Sequence, residues 1–404
     1  MFICGKKNSM SASRLTLLNK IGIVSLFLMV YSGYIKWMPI LIVDPFILFA
    51  IFIFLSIITH LFRNNFNSNT IVITSILILF FSFCFISTSW GLSKLYYLEK
   101  LQKVLVLIFC FVTPFYLLRF KKNIYFLFDI FHIFCILVSI SILTIFLIFG
   151  NIYILIDQDP STVIKNMPDY LALGTLLSCS FILALNKKNS FFWISHKIII
   201  FSTIVILAPR GPILSLVIIL ILYSLVKYNI TSLFKKIFFI TITSLFINII
   251  LIGFTDRLIS RLTNIFDTES TSYTSLDSRF DLTTYAWNYF LKYPITGIGF
   301  GSFGINYSGT EDRIEPHNII LEIMSQTGII GLFLFLLFLF TIFIFIYKKY
   351  NRDDNINLIL ILIIVFLFLQ TLISTYLIDS KDLFFWLGVI LCYNSINNRY
   401  EYKK

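Results

Sequence analysis

Five side chains of the 404-residue chain have the types and settings to do chemistry: Arg210, Arg279, Arg313, Glu315 and His317. Arg210 stands in ILAPRGPILSL, between two apolar runs and among Pro209, Gly211 and Pro212, which should interrupt regular helix. The apolar run Ile198–Ala208 before it covers only about 16 Å as a helix, so the arginine is expected below the membrane surface, facing a cavity. Arginine forks bind phosphate oxygens through paired, charge-assisted hydrogen bonds. His317, in EPHNII, has an imidazole that can take a proton near neutral pH, and Glu315 is a second candidate base. Fixed cations can stabilise a departing diphosphate while a base deprotonates an attacking hydroxyl, without any metal.

The elements that must position these groups are membrane helices. The chain is 58% hydrophobic and 13% charged, with a mean hydropathy of +0.90. That composition excludes an ordinary soluble domain and a disordered chain. Long unbroken apolar runs exclude a β-barrel, whose strands alternate. Apolar runs bounded by polar clusters give twelve expected spans: 21–37, 39–62, 70–89, 103–119, 123–149, 168–186, 190–208, 211–227, 236–254, 328–347, 356–377 and 383–397. The expected fold is all-α: a polytopic integral membrane protein of about 12 transmembrane helices and one large periplasmic loop. Residues 1–254 form a nine-helix region, 255–327 the loop carrying the site motifs, and 328–404 a three-helix region with a cytoplasmic C-terminus.

Charge placement orients the array. With both ends in the cytoplasm, 19 of the 32 lysines and arginines but only 4 of the 20 acids fall on cytoplasmic segments. Such a bias sets topology, so the net charge of +12 is a membrane signal and nucleic acid is not an expected partner. No small-residue cleavage site follows the basic N-terminus, so the first helix is expected to stay uncleaved. The six cysteines have no metal spacing and read as small apolar core residues. His60, His132 and His196 read as packed or interfacial.

The 255–327 segment gathers the polar residues. Ser278 and Asp281 have capping-box spacing and predict a helix starting near Arg279. Leu282, Ala286 and Phe290 line one face of it, as in a helix lying on a membrane; Pro294 and Gly297 end it. Gly299, Gly301 and Gly304 spell GxGxxG. With no strand before it and no helix opening there, it is not a dinucleotide site; a flexible backbone approaching a ligand or membrane is expected. Asn318 and Glu322 then start a further helix. Lys94, Tyr96, Tyr97, Lys100 and Lys103 read chiefly as interfacial anchors, or as a ledge for a sugar or headgroup.

At these residues the sequence resembles the bacterial O-antigen polymerase/O-antigen ligase superfamily. APRGP is similar to its small-residue–Arg–Gly turn. SRF…AWNYFLKYPITGIGFGSFG…EPHNIILEIMSQTGIIGLF is similar to its signature of an Arg-led helix with Trp, a Pro-x-x-Gly-x-Gly turn, a Pro-His-Asn and a helix ending in Gly-x-x-Gly. The resemblance covers roughly residues 200–227 and 273–335, with Pro209 where the family usually has a small polar residue.

The resemblance implies a membrane glycosyltransferase of the bacterial inner membrane with its active site facing the periplasm. Such enzymes move a glycan from an undecaprenyl-diphosphate carrier to an acceptor, invert the anomeric centre and use no metal or other cofactor. Arg210 and Arg279 would hold the diphosphate, and His317 would engage the acceptor or act as base; Arg313 and Glu315 are added from position. The expected partners are the lipid-linked oligosaccharide, an acceptor that is either a lipid-linked repeat unit or lipid A-core, membrane lipids and a chain-length regulator protein. A polymerase is preferred over a ligase. A non-enzymatic flippase is disfavoured, because it would need charges along the helices, whereas these cations collect at one face.

Overall fold

The runs rich in Leu, Ile, Phe and Val have no water to satisfy their backbone inside a bilayer, so they close their hydrogen bonds internally as helices. The computed structural model describes residues 17–32, 49–53, 68–149, 170–187, 190–207, 209–227, 271–350 and 354–401. Its helices are α1 (Leu17–Val30), α2 (Ser68–Ser87), α3 (Tyr96–Leu117), α4 (Lys121–Phe149), α5 (Tyr170–Ala184), α6 (Phe191–Leu207), α7 (Arg210–Lys227), α8 (Thr271–Lys292), α9 (Phe303–Ser308), α10 (Ile319–Lys349), α11 (Asn355–Ile373) and α12 (Lys381–Glu401).

Among the described residues the architecture is all-α, with no strand. Six helices among the described residues, namely α2, α3, α4, α7, α10 and α11, are long and apolar enough to cross a membrane. α1, α5 and α6 are apolar but shorter. Each expected span coincides with a helix except 39–62, of which only 49–53 are described, and 236–254, which lies outside the described residues.

α12 packs along α3 and α10 along α2. The central contact is tight because Gly388 has no side chain: a Cβ there would sit 2.4 Å from the Phe111 carbonyl oxygen. Trp386, Phe385 and Phe384 of α12 are buried, and Trp386 and Phe384 meet Phe131, Phe128, Phe338 and Phe81 at ring distances of 5.6–6.2 Å. α12 is thus the packed centre, while α4, α7 and α10 expose Leu137, Leu147, Leu214, Phe333 and Phe343. Those large apolar faces are what a bilayer covers.

The buried cysteines Cys84, Cys110, Cys135, Cys179 and Cys392 are free thiols in this core. His132 and His196 are also packed, their rings 4.8 Å apart and joined through the Ser180 hydroxyl. Cys4 and His60 lie outside the described residues.

Three local expectations are corrected. α8 begins at Thr271, so Ser278 lies inside the helix and does not cap it; no proline or glycine between 271 and 278 stops the helix earlier. A short helix, α9, does open two residues after Gly301. The glycines Gly297, Gly299 and Gly301 are not a flexible loop. All three have positive φ, and a Cβ would meet backbone at 2.3 Å (Gln326), 2.4 Å (Gly91) and 2.8 Å (Tyr97). They are small because two other backbone segments press on them.

That pressing has a hydrogen-bond logic. Gly328 breaks the α10 ladder with φ 64°. The exposed groups are taken by the turn after α8: Ile329 N donates to Pro294 O (2.8 Å), Ile298 N to Ser325 O (2.9 Å) and Gly299 N to Gln326 O (2.9 Å). The Pro-x-x-Gly-x-Gly turn and the Gly328 kink are two halves of one joint. Gly297→Ala combines a left-handed residue with a backbone overlap and is expected to cost about 3 kcal/mol or more. Thermal unfolding of the detergent-solubilised protein will show it as a lowered Tm.

Candidate functional site

The site is built on the end of α11. The last carbonyls of a helix lack intrahelical donors and carry partial negative charge. Here two are satisfied from other elements. Arg279 Nη1 of α8 donates to Ile373 O (3.3 Å), and Asn318 Nδ2 donates to Leu372 O (3.1 Å). The Asn318 side chain also caps α10, its Oδ1 accepting from Ile320 N (3.0 Å) and Leu321 N (3.1 Å). Asn318→Ala should therefore lose a helix cap and a tether together. A cost of about 1–2 kcal/mol is expected, read as a lowered Tm.

The first turn of α7 reaches the same place. Pro209 O accepts from Ile213 N (3.0 Å), so the chain breaks before Arg210. Gly211 and Pro212 fall in the first helical turn, where a proline's missing N–H has no partner to lose. Gly211 lies against the α11 terminus: a Cβ there would be 3.4 Å from Gln370 Oε1 and 3.5 Å from Ser374 Oγ. Gln370 Nε2 in turn donates to Ser215 Oγ of α7 (2.7 Å). Arg210 is thus the first residue of an 18-residue helix, at the end where the helix dipole is positive.

His317 comes to the other side of this turn of chain, its ring 5.2 Å from that of Tyr376. Its backbone is held at φ 50°, rare for a residue with a side chain, between Pro316 and the capping Asn318. Its Nδ1 is buried and has no hydrogen-bond partner among the described residues. Burial first, and the Arg279 guanidinium second, hold the imidazole below its ordinary value, against a backbone hydrogen bond to Ser374 and the Glu322 carboxylate. A neutral imidazole with a free ring nitrogen is the form that accepts a proton.

Arg279 and His317 are therefore brought to Gln370–Tyr376 from separate parts of the chain, and the Gly211 that follows Arg210 lies against the same turn. Arg313 and Glu315 are used differently. Arg313 is largely exposed and pairs with Glu99 at 2.9 Å. Glu315 is fully buried: Lys100 Nζ reaches its Oε1 at 2.7 Å and Gln326 Nε2 its Oε2 at 2.6 Å. Burial pushes its carboxyl up to about 7 against the pull of Lys100.

Two residues of the 91–103 segment, Lys100 and Tyr96, are not interfacial anchors. Lys100 is wholly buried and Tyr96 nearly so, because this stretch seats the site loop. Ser93 Oγ donates to Glu311 (2.8 Å), and the Lys94 and Tyr96 amides donate to the same carboxylate. Ser87 Oγ accepts from Phe300 N (3.2 Å). Glu311 thereby neutralises the positive end of α3 from a distant part of the chain, and those amides hold its carboxyl below the ordinary range even though its own partial burial opposes this.

Sequence reasoning places Lys100 at the interface and Glu322 at a helix start, and does not single out Gln326. A signal existed: Glu322 and Gln326 are four apart in ILEIMSQTG, on one face of an otherwise apolar helix, and such a pair needs a buried cation.

Residues 195–336 match the family model described as O-antigen ligase. That stretch is similar to an O-antigen ligase domain. Its limits enclose Arg210, Arg279, Arg313, Glu315 and His317, the Pro-x-x-Gly-x-Gly turn and the Gly328 kink. No curated protein matches the chain. The match covers about a third of the chain, and the apolar helices around it are those of a membrane protein.

Proposed function

We propose that the protein transfers a glycan from an undecaprenyl-diphosphate carrier to an acceptor sugar hydroxyl at the periplasmic face of the inner membrane, as an O-antigen polymerase. The observation that carries this reading is the meeting of Arg279 and His317 at the end of α11, with the Arg210–Gly211 start of α7 packed against the same turn. Arg210, helped by the N–H groups of α7, and Arg279 hold the diphosphate and stabilise the charge that grows on it as the glycosyl bond breaks. His317, neutral and with a free ring nitrogen, takes the proton of the attacking hydroxyl. Attack opposite the leaving group inverts the anomeric carbon. Arg313 lies at the rim, where it meets the acceptor glycan. Glu315 acts from behind, on the turn that carries His317.

The opposite end of the bundle holds Lys121, Lys122, Lys187, Lys227, Lys348 and Lys349, which supports placing that end in the cytoplasm and the site in the periplasm. The partners of this reading are the lipid-linked glycan, a second lipid-linked repeat unit and a chain-length regulator.

Ligation of the glycan to lipid A-core uses the same donor chemistry and is favoured by the family description. The lipopolysaccharide ladder of a deletion strain separates the two. Core bearing one repeat unit supports polymerase; bare core, with chains stranded on the carrier, supports ligase. A normal ladder refutes both.

A further inference from the structure

The Lys100 ammonium has three protons, and each is directed to a different group. Glu315 Oε1 and Glu322 Oε1 lie at 2.7 Å and Gln326 Oε1 at 3.0 Å. All four side chains are buried, and the Phe300 ring lies 4.4 Å from the cation. From this point bonds run to both walls of the His317 pocket. Glu315 is two residues before His317, so one arm fixes the turn that carries the imidazole. Glu322 Oε2 accepts from Leu377 N (2.7 Å), so the second arm fixes the residue after Tyr376, whose ring packs on His317. Gln326 Oε1 also accepts from Gly301 N (2.7 Å), so the third arm fixes the glycine turn.

Stability alone does not explain such a cluster. Burying one ammonium with two carboxylates is costly, and well-packed apolar residues in place of a buried ion cluster are often as stable. What apolar residues cannot do is specify the direction of three chain segments at once. The strained φ of His317 needs surroundings that over-determine it. Asn318 pins one side of that residue, and the Lys100 cluster pins the other.

We propose that Lys100 is the positioning residue of the site, holding the His317 turn and the Tyr376 segment in register through Glu315 and Glu322. This rests on the glycan-transfer reading above. Lys100 touches no substrate in this assignment; it acts through His317.

The test is Lys100→Arg in the full-length membrane-embedded protein, with K100M/E322Q as a second variant that removes the cation and one carboxylate together. Transfer per enzyme molecule is measured with membranes of a deletion strain, which supply the accumulated glycan donor. A displacement of about 1 Å at a reacting group can cost about 100-fold. A drop of about that size in kcat is therefore expected, with KM for the donor changed less than about threefold. The acid limb of the rate–pH profile should move toward the ordinary histidine value as the pocket loosens. The charged and titratable groups facing His317 are Arg279 of α8, Glu322 of α10 and Tyr376 after α11, and Lys100→Arg leaves all three in place.

Wild-type transfer per molecule in either variant, or an unmoved acid limb in Lys100→Arg, overturns the proposal. So does failure of both variants to accumulate in membranes, which would make the cluster a folding element. Arg279→Ala run alongside separates the two levels. If it keeps full transfer, the glycan-transfer reading falls; if it loses transfer while Lys100→Arg stays active, only the Lys100 inference falls.

Discussion

Cells carrying Arg279→Ala are expected to lose the surface glycan while keeping the protein in the membrane. In the structure the Arg279 side chain is half-buried and gives one hydrogen bond, to Ile373 O at 3.3 Å. Losing that bond costs roughly 1 kcal/mol, too little to unfold a bundle of this size. The loss at the transition state is larger. Removing one preorganised donor to a developing oxyanion costs about 100- to 1,000-fold in rate, and a guanidinium also supplies a full charge. Arg279→Lys should rescue poorly, because an ammonium does not reproduce the planar two-point fork. Immunoblotting of membranes together with a lipopolysaccharide gel checks both halves. A normal ladder from Arg279→Ala would remove the phosphate clamp from the mechanism.

The second large effect is at His317, and it has a sign. Burial and Arg279 lower the imidazole's affinity for protons in the folded protein. The neutral form therefore persists below the unfolded value of about 6.5. Transfer that needs the neutral base should be constant at neutral pH and fall only below that value, with an inflection on the acid side of an ordinary histidine. Stability follows the same direction: the unfolded chain binds this proton more readily, so the folded state loses ground as pH falls through 6.5. Arg279→Lys keeps the cation and should leave the inflection low, whereas any residual activity of Arg279→Ala should show it raised. His317→Ala should reduce transfer by about 100- to 10,000-fold, the usual contribution of a general base, and abolish the inflection. A rate–pH series on wild type and variants decides this. An inflection at or above 6.5 in the wild type would argue against His317 as the base.

Much of the helical array could be read directly from the chain. Runs such as 329–347 and Asn355–Ile373 are too apolar and too uninterrupted to be anything but helices. The break before Arg210 was legible because proline permits few backbone choices, although Gly211 and Pro212 turned out to lie in the first turn of α7. The start of α8 was misread at Ser278, since capping spacing is a local signal and nothing local marks Thr271.

Residue type and motif order single out the arginines and the histidine as candidates, because those side chains offer a phosphate fork and a neutral-pH base. Where they meet was decided by the tertiary structure. The C-terminal carbonyls of α11, 94 residues beyond Arg279, supply the acceptor for its guanidinium, and no spacing rule connects the two. The same holds for Lys100, which in sequence is one more basic residue at a helix end. Its ammonium became the centre of a buried cluster only because Glu315, Glu322 and Gln326, more than 200 positions away, fold over it and replace the water it gave up. Helix formation depends on neighbours a few residues apart, whereas pairing of buried charges depends on which distant segments exclude water together.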